Sequence, residues 1–232
     1  MNEHAMIPDT PAARLAAITA RMAQVCREVG RDPVSATLIA VSKTFTADDI
    51  RPLLESGHRA FGENRVQESQ GKWPGLRAAF TGIELHLIGP LQSNKAAEAV
   101  ALFDCVHTID RPKIASAIAT EMAKQNKVLT LYIQVNTGAE PQKAGIAPEE
   151  TAAFLAHCRD VLKLPIHGLM CIPPVEEEPA VHFAFLAKLA RELRLEKLSM
   201  GMSSDYETAL QFGATHVRVG SAIFGSRTGP KA

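Results

Sequence analysis

The chain predicts an α/β protein, a single (β/α)8 TIM barrel with an extra N-terminal helix. Three observations carry the prediction. Eight short apolar runs alternate with helical segments, the chemistry of parallel strands joined by crossover helices. No Gly-x-Gly-x-x-Gly follows the first strand, as an open dinucleotide-binding sheet would require. No linker, charge run or composition shift divides the 232 residues, so one domain over 1–232 is expected, with residues 1–10 frayed.

Thr10-Pro11 opens the extra helix, with Thr10 as cap and Pro11 in the first turn. Leu15, Ile18, Met22, Val25 and Val29 then repeat at three- and four-residue steps towards Gly30. Leu38-Ile39-Ala40-Val41-Ser42-Lys43 is the first strand, a buried run that ends on a lysine. Thr46 to Ser56 reads as a helix closed by Gly57, with Pro52 expected to kink it or loosen its first turns. Arg59-Ala60-Phe61 is the second strand; the polar loop Gly62-Glu63-Asn64-Arg65 and a helix towards Trp73 follow. The third strand, Leu85 to Ile88, is broken by Gly89-Pro90, and Ser93 reads as the cap of a helix through Leu102. Cys105 to Thr108 is the fourth, with Asp110 as cap of a helix that stacks Ile114, Ile118 and Met122. Val128 to Val135 is the fifth and ends in Asn136-Thr137-Gly138. A loop with Lys143 and Gly145 leads to a helix opened by Pro148. Ile166 to Met170 is the sixth, and the helix after Pro179 aligns Phe183, Leu186, Ala190 and Leu193. Leu198-Ser199-Met200 and His216 to Val219 are the seventh and eighth. Between them, Ser204 to Glu207 reads as a capping box before a helix closed by Gly213.

Composition narrows the function. Lys plus Arg balance Asp plus Glu at 25 each, and the basic residues are spread along the chain, so neither nucleic acid nor a membrane is an expected partner. Cys26, Cys105, Cys158 and Cys171 form no Cys-x-x-Cys pair, which speaks for a reducing cytoplasm rather than a disulfide framework or a zinc site. No signal peptide or spanning helix is expected, because the first residues are partly acidic and no apolar run approaches about 20 residues. The histidines show no His-x-x-x-His spacing, and no Walker loop or Gly-x-Ser-x-Gly elbow occurs, so metal and nucleotide hydrolysis are not expected. A monomer is expected.

Barrels of this kind bind ligands at the carboxyl ends of their strands, with phosphate at the loops after strands seven and eight. Here those loops are Gly201-Met202-Ser203-Ser204 and Gly220-Ser221, small residues and hydroxyls at helix starts. Lys43, at the end of strand one, either snorkels to water or has its pKa lowered at the rim of the core and attacks a carbonyl. Phosphate loops beside such a lysine suit a phosphorylated aldehyde, and pyridoxal 5′-phosphate is the expected cofactor. Arg218 either faces the pyridine nitrogen, which a guanidinium would keep unprotonated, or pairs with a carboxylate at the barrel end. Asn64, His86 and Asn136 fall near strand ends and line the pocket or serve as bonded structural groups. Met170 and Met200 are candidate wall residues.

Ala40-Val41-Ser42-Lys43, Phe61-Gly62-Glu63-Asn64-Arg65-Val66-Gln67-Glu68, His86-Leu87-Ile88-Gly89-Pro90-Leu91-Gln92-Ser93-Asn94-Lys95, Val135-Asn136-Thr137-Gly138, Gly201-Met202-Ser203 and Val217-Arg218-Val219-Gly220-Ser221 together resemble the pyridoxal phosphate homeostasis protein family, over about residues 35 to 227. The resemblance implies a barrel similar to the N-terminal domain of alanine racemase. It also implies a cofactor linked to Lys43, phosphate held by Ser203, Gly220 and Ser221, and Arg218 facing the ring nitrogen. Family members are regarded as vitamin B6 carriers or regulators without an established reaction, which makes apo-enzymes that use the cofactor and free amino acids the expected partners. Ser204 stands where an aspartate is often expected, leaving the phosphate hydroxyl open between Ser203 and Ser204. An amino-acid racemase is the alternative function. It needs acid–base groups on both faces, and only Tyr132 and Tyr206 are present, in a chain that stops soon after strand eight. A Schiff-base aldolase is a third reading.

Overall fold

The computed structural model describes residues 10–225; the expected fraying of 1–10 therefore falls, Thr10 apart, outside the described residues. Eight parallel strands close in chain order into a barrel. They are β1 (Thr37–Val41), β2 (Ala60–Glu63), β3 (Glu84–Leu87), β4 (Cys105–Ile109), β5 (Thr130–Gln134), β6 (Ile166–Met170), β7 (Lys197–Met202) and β8 (His216–Val219). β8 pairs back onto β1, with Ile39 opposite Arg218 and Ala40 opposite Val219. The result is a (β/α)8 barrel preceded by the extra helix α1 (Pro11–Glu28), which Thr10 caps by accepting from the Ala13 N–H.

The surrounding helices are α2 (Ala47–Glu55), α3 (Val66–Ala79), α4 (Ala96–Leu102), α5 (Pro112–Gln125), α6 (Thr151–Ala156), α7 (Pro179–Glu192), α8 (Tyr206–Gln211) and α9 (Ser221–Phe224). α2 continues through Pro52, because a Thr46–Asp49 capping box already holds its first turn. α3 likewise runs through Pro74 to Ala79, beyond the expected end near Trp73.

Three expected caps are corrected. Ser93 begins a 3-10 turn, and α4 starts at Ala96. Asp110 bonds the Arg111 guanidinium at 2.5 Å instead of capping α5. Ser204 makes no capping box: Asp205 is the cap position of α8, and its carboxylate accepts from the Met202 N–H at 2.5 Å. Pro148 opens a short 3-10 turn before α6, which then passes into a π turn over His157–Val161.

Successive strand residues point to opposite faces, so the core has two compartments. Outward residues such as Leu38, Phe61, Leu131, Met200 and Val217 join the helices in one apolar jacket. Inward residues form a second, enclosed compartment in which Cys105, Tyr132 and Met170 pack together. Its other occupants include His86, His107, Ser199, His216 and Arg218, all buried. Barrel interiors are ordinarily filled by branched aliphatic side chains, and this one is polar.

Gly168 sits where β6 meets β7, opposite Lys197. A Cβ there would lie 2.1 Å from the Lys197 carbonyl oxygen. Backbone cannot rotate away as a side chain can, so Gly168→Ala is expected to cost at least about 1–3 kcal/mol, read as a lower urea midpoint.

Candidate functional site at the barrel mouth

Because β8 neighbours both β7 and β1, the carboxyl ends of β7, β8, β1 and β2 adjoin at one side of the mouth. Lys43 lies two residues beyond β1 and is half-buried. A Cβ at Gly220 would come within 3.2 Å of Val41 Cβ, which places the loop after β8 against the strand that carries Lys43. The Gly220 N–H donates to Ser203 Oγ at 3.3 Å, joining that loop to the one after β7. Phe45 and Phe224 stack at 4.4 Å, and Arg14 of α1 donates to the Ile223 carbonyl at 2.6 Å, so α9 is pinned from both sides. Ser203 is half-buried within this junction, whereas Ser204 and Ser221 are exposed.

The turn that presents Lys43 is braced from α3. Thr44 adopts a left-handed φ of 68°, a conformation that a branched residue keeps only when its surroundings hold it. Its N–H donates to Glu68 Oε1 at 2.5 Å. The Lys72 ammonium donates to the carbonyls of Ser42 and Phe45 at 2.9 and 3.0 Å, on either side of Lys43 and Thr44. It also contacts Glu63 and Glu68, each at 2.9 Å. Glu63 is fully buried; Ser42 Oγ and Trp73 Nε1 donate to its Oε1 at 2.7 and 3.1 Å. Burial pushes the Glu63 carboxyl up, and Lys72, Ser42 and Trp73 pull it back. None of these contacts of α3 with the turn after β1 and with β2 is visible in sequence spacing.

Arg218 is buried and donates to Ser199 Oγ at 2.7 Å and to the Cys171 carbonyl at 2.9 Å. Both partners are neutral, so the alternative of a carboxylate hydrogen-bonded to Arg218 is set aside. Ser199 Oγ is also 2.7 Å from His107 Nδ1, and His107 Nε2 is 3.0 Å from His86 Nδ1. His86 therefore belongs to the enclosed compartment and not to the surface of the mouth. Asn64 follows β2, half-buried, its backbone packed on Gly89, where a Cβ would lie 2.4 Å from the Asn64 carbonyl oxygen. Asn136 is committed to its own loop: Nδ2 donates to the Glu140 carbonyl at 2.8 Å, and Oδ1 accepts from the Glu140 N–H at 3.3 Å.

Met200 is corrected. Ser199 points inward, so Met200 points outward and packs in the jacket between strands and helices instead of lining the mouth. Linear spacing also hides one grouping: ligand-type atoms of His86, Cys105 and His107 lie within 4.8 Å of one another. Inward positions on adjacent strands bring them together, a relation that linear spacing does not display. His182 bonds Thr137 and Glu177 at 3.0 and 3.1 Å, away from that cluster.

A family model for the N-terminal domain of alanine racemase matches residues 13–228. The pyridoxal phosphate homeostasis protein of Pseudomonas aeruginosa is 41% identical over 223 residues, covering 94% of this chain and 96% of that protein. The chain belongs to the pyridoxal phosphate homeostasis protein family. The family member from Escherichia coli K12 is 38% identical over 92% of this chain and 95% of its own length. The solved structure of PipY from Synechococcus elongatus with pyridoxal phosphate bound is 36% identical, with a TM-score of 0.81, and the match covers 93% of this chain and all of that one. Alanine racemase of Clostridium difficile shares the fold at 13% identity and a TM-score of 0.67, over 91% of this chain and 57% of that one. Among the described residues no helix is long and apolar enough to cross a membrane.

Proposed function

We propose that this chain holds pyridoxal 5′-phosphate at the barrel mouth as a Schiff base on Lys43, and buffers or delivers it in vitamin B6 homeostasis without major catalytic turnover. The observation that carries the reading is the meeting of the Lys43 turn with the joined Ser203–Gly220–Ser221 loops where β8 pairs with β1, with Arg218 buried one residue before the end of β8. The donor set fits the group. Lys43 offers an amine, the loops offer a hydroxyl and backbone N–H groups for a phosphate, and Arg218 offers a cation that can only donate. When bound, the cofactor supplies an aldehyde that condenses reversibly with an amine, releasing one water. Ser203, tied into the junction, is the better hydroxyl for phosphate than exposed Ser204. Asn64 is the candidate donor to the phenolic oxygen, because it follows β2, next to the strand that carries Lys43. His86 and Asn136 act as supporting groups.

Apo-enzymes that use the cofactor and free amino acids are the proposed recipients, reached by a monomer in the cytoplasm. A racemase would need a second acid–base group facing the mouth. Tyr132 is stacked on His107 inside the barrel at 4.4 Å, and burial raises its phenol. Tyr206 starts α8 and lies 3.4 Å from Glu207. Titration with the cofactor is expected to raise an imine absorption band, which Lys43→Ala abolishes while weak phosphate-loop binding persists. An unchanged band in that variant, or amino-acid racemisation at ordinary enzyme rates, would sink this reading.

A further inference from the structure

We propose that Ser199, His107 and His86 form a one-directional hydrogen-bond chain that positions Arg218 from inside the barrel. On the reading given above, that chain sets how the guanidinium meets the cofactor ring. The Arg218 end sets the direction, and the Glu84 carboxylate beside His86 Nε2 is compatible with it. Arg218 can only donate, so Ser199 Oγ accepts from Nη1 at 2.7 Å. The Ser199 proton then has His107 Nδ1, also at 2.7 Å, as its acceptor. Burial, reinforced by His86, His216 and Arg218, holds His107 well below the usual histidine range, so its ring is neutral. With Nδ1 accepting, its single proton sits on Nε2 and is donated to His86 Nδ1 at 3.0 Å. His86 in turn carries its proton on Nε2, a buried atom with no partner within hydrogen-bond distance. The nearby charge is the Glu84 carboxylate at 3.7 Å, which favours an N–H there over a lone pair.

Reversing the direction would leave the Ser199 proton without an acceptor, since Arg218 Nη1 and His107 Nδ1 would then both donate to its oxygen. Tyr132 stacks on His107 with 11° between the rings and so fixes the plane that the chain needs. The same atoms could be imagined as ligands, since His86, Cys105 and His107 are clustered. A cation there would have to break the 3.0 Å bond between the two rings, and burial keeps the Cys105 thiol protonated. Hydrogen bonding accounts for the geometry without an ion.

The test has one arm that needs no cofactor. In the cofactor-free protein at neutral pH, ¹⁵N NMR of the ring nitrogens is expected to find both His86 and His107 as the Nε2–H tautomer. Ser199→Ala is expected to shift the His107 Nδ1 signal, identified by its loss in His107→Gln. A Nδ1–H tautomer on either ring, or a stoichiometric divalent metal in the purified protein, overturns the proposal. In the second arm, Ser199→Ala is expected to keep borohydride labelling of Lys43 yet move the imine band and release cofactor about three- to tenfold faster, the worth of one ordinary net hydrogen bond. Ser199→Thr, which retains the hydroxyl, is expected to restore both. A band and release rate unchanged in Ser199→Ala, or altered equally in Ser199→Thr, also overturns it. Failure of Lys43 to label in the unsubstituted protein overturns the reading of the mouth instead, and the NMR arm still decides the chain.

Discussion

Acidification from pH 6.5 to pH 3 is expected to remove about 4–5 kcal/mol of stability through His216 alone, at about 1.4 kcal/mol per pH unit. Burial, with His86 as a further cause, lowers this histidine to about 3. The folded state therefore keeps it neutral while the unfolded state, near 6.5, takes up a proton. Its contribution is fully present above pH 6.5 and is lost as pH falls towards 3, because the unfolded chain then binds more protons. His107, buried beside it, is lowered for the same reason and adds in the same direction, as does His58 to a smaller extent. Urea titrations at pH 7, 6, 5 and 4 measure the slope. His216→Gln, whose amide does not protonate in this range and can still face Tyr132, is expected to flatten it below pH 6. An equally steep slope in that variant would show that the interior histidines are not the acid-sensitive groups.

Lys72→Met is expected to cost about 3–5 kcal/mol, because it leaves a carboxylate buried without its cation. The side chains of Lys72 and Glu63 are only 8% and 0% exposed, so water does not screen the pair. The loss also frees the Ser42 and Phe45 carbonyls that the ammonium spans, so the Lys43 turn loosens and imine formation weakens with stability. Pairing it with Glu63→Leu is expected to recover much of the stability but not the imine, since an apolar pair can replace a buried ion pair but cannot hold those carbonyls. A double-mutant cycle by urea unfolding separates the two effects. A loss below about 1 kcal/mol for Lys72→Met would place the pair among exposed ones and remove the brace.

Much of the barrel was legible because strand and helix periods differ. β6 and β8 run over the residues their apolar patterns marked, Ile166–Met170 and His216–Val219. Caps were less legible: the Asp110 carboxylate is taken by the adjacent Arg111 guanidinium, and α8 starts with Asp205 instead of Ser204 in the cap position, its carboxylate accepting from the Met202 N–H. Strands buried on both faces read as continuous runs, so the pattern cannot say that Ser199 points inward and Met200 outward. Lys43, Ser203 and Arg218 could be nominated from sequence because barrel ligands gather at strand ends, a rule that depends on chain order alone. His107, Ser199, Lys72 and Glu63 were not, because their roles arise from contacts between strands and with α3.

The most direct test of the central claim is borohydride reduction of the purified protein after incubation with pyridoxal 5′-phosphate, followed by peptide mass mapping. A phosphopyridoxyl group on Lys43, absent from Lys43→Ala, is the predicted result. Label confined to surface lysines such as Lys95, or no label at all, would contradict the assignment of the barrel mouth.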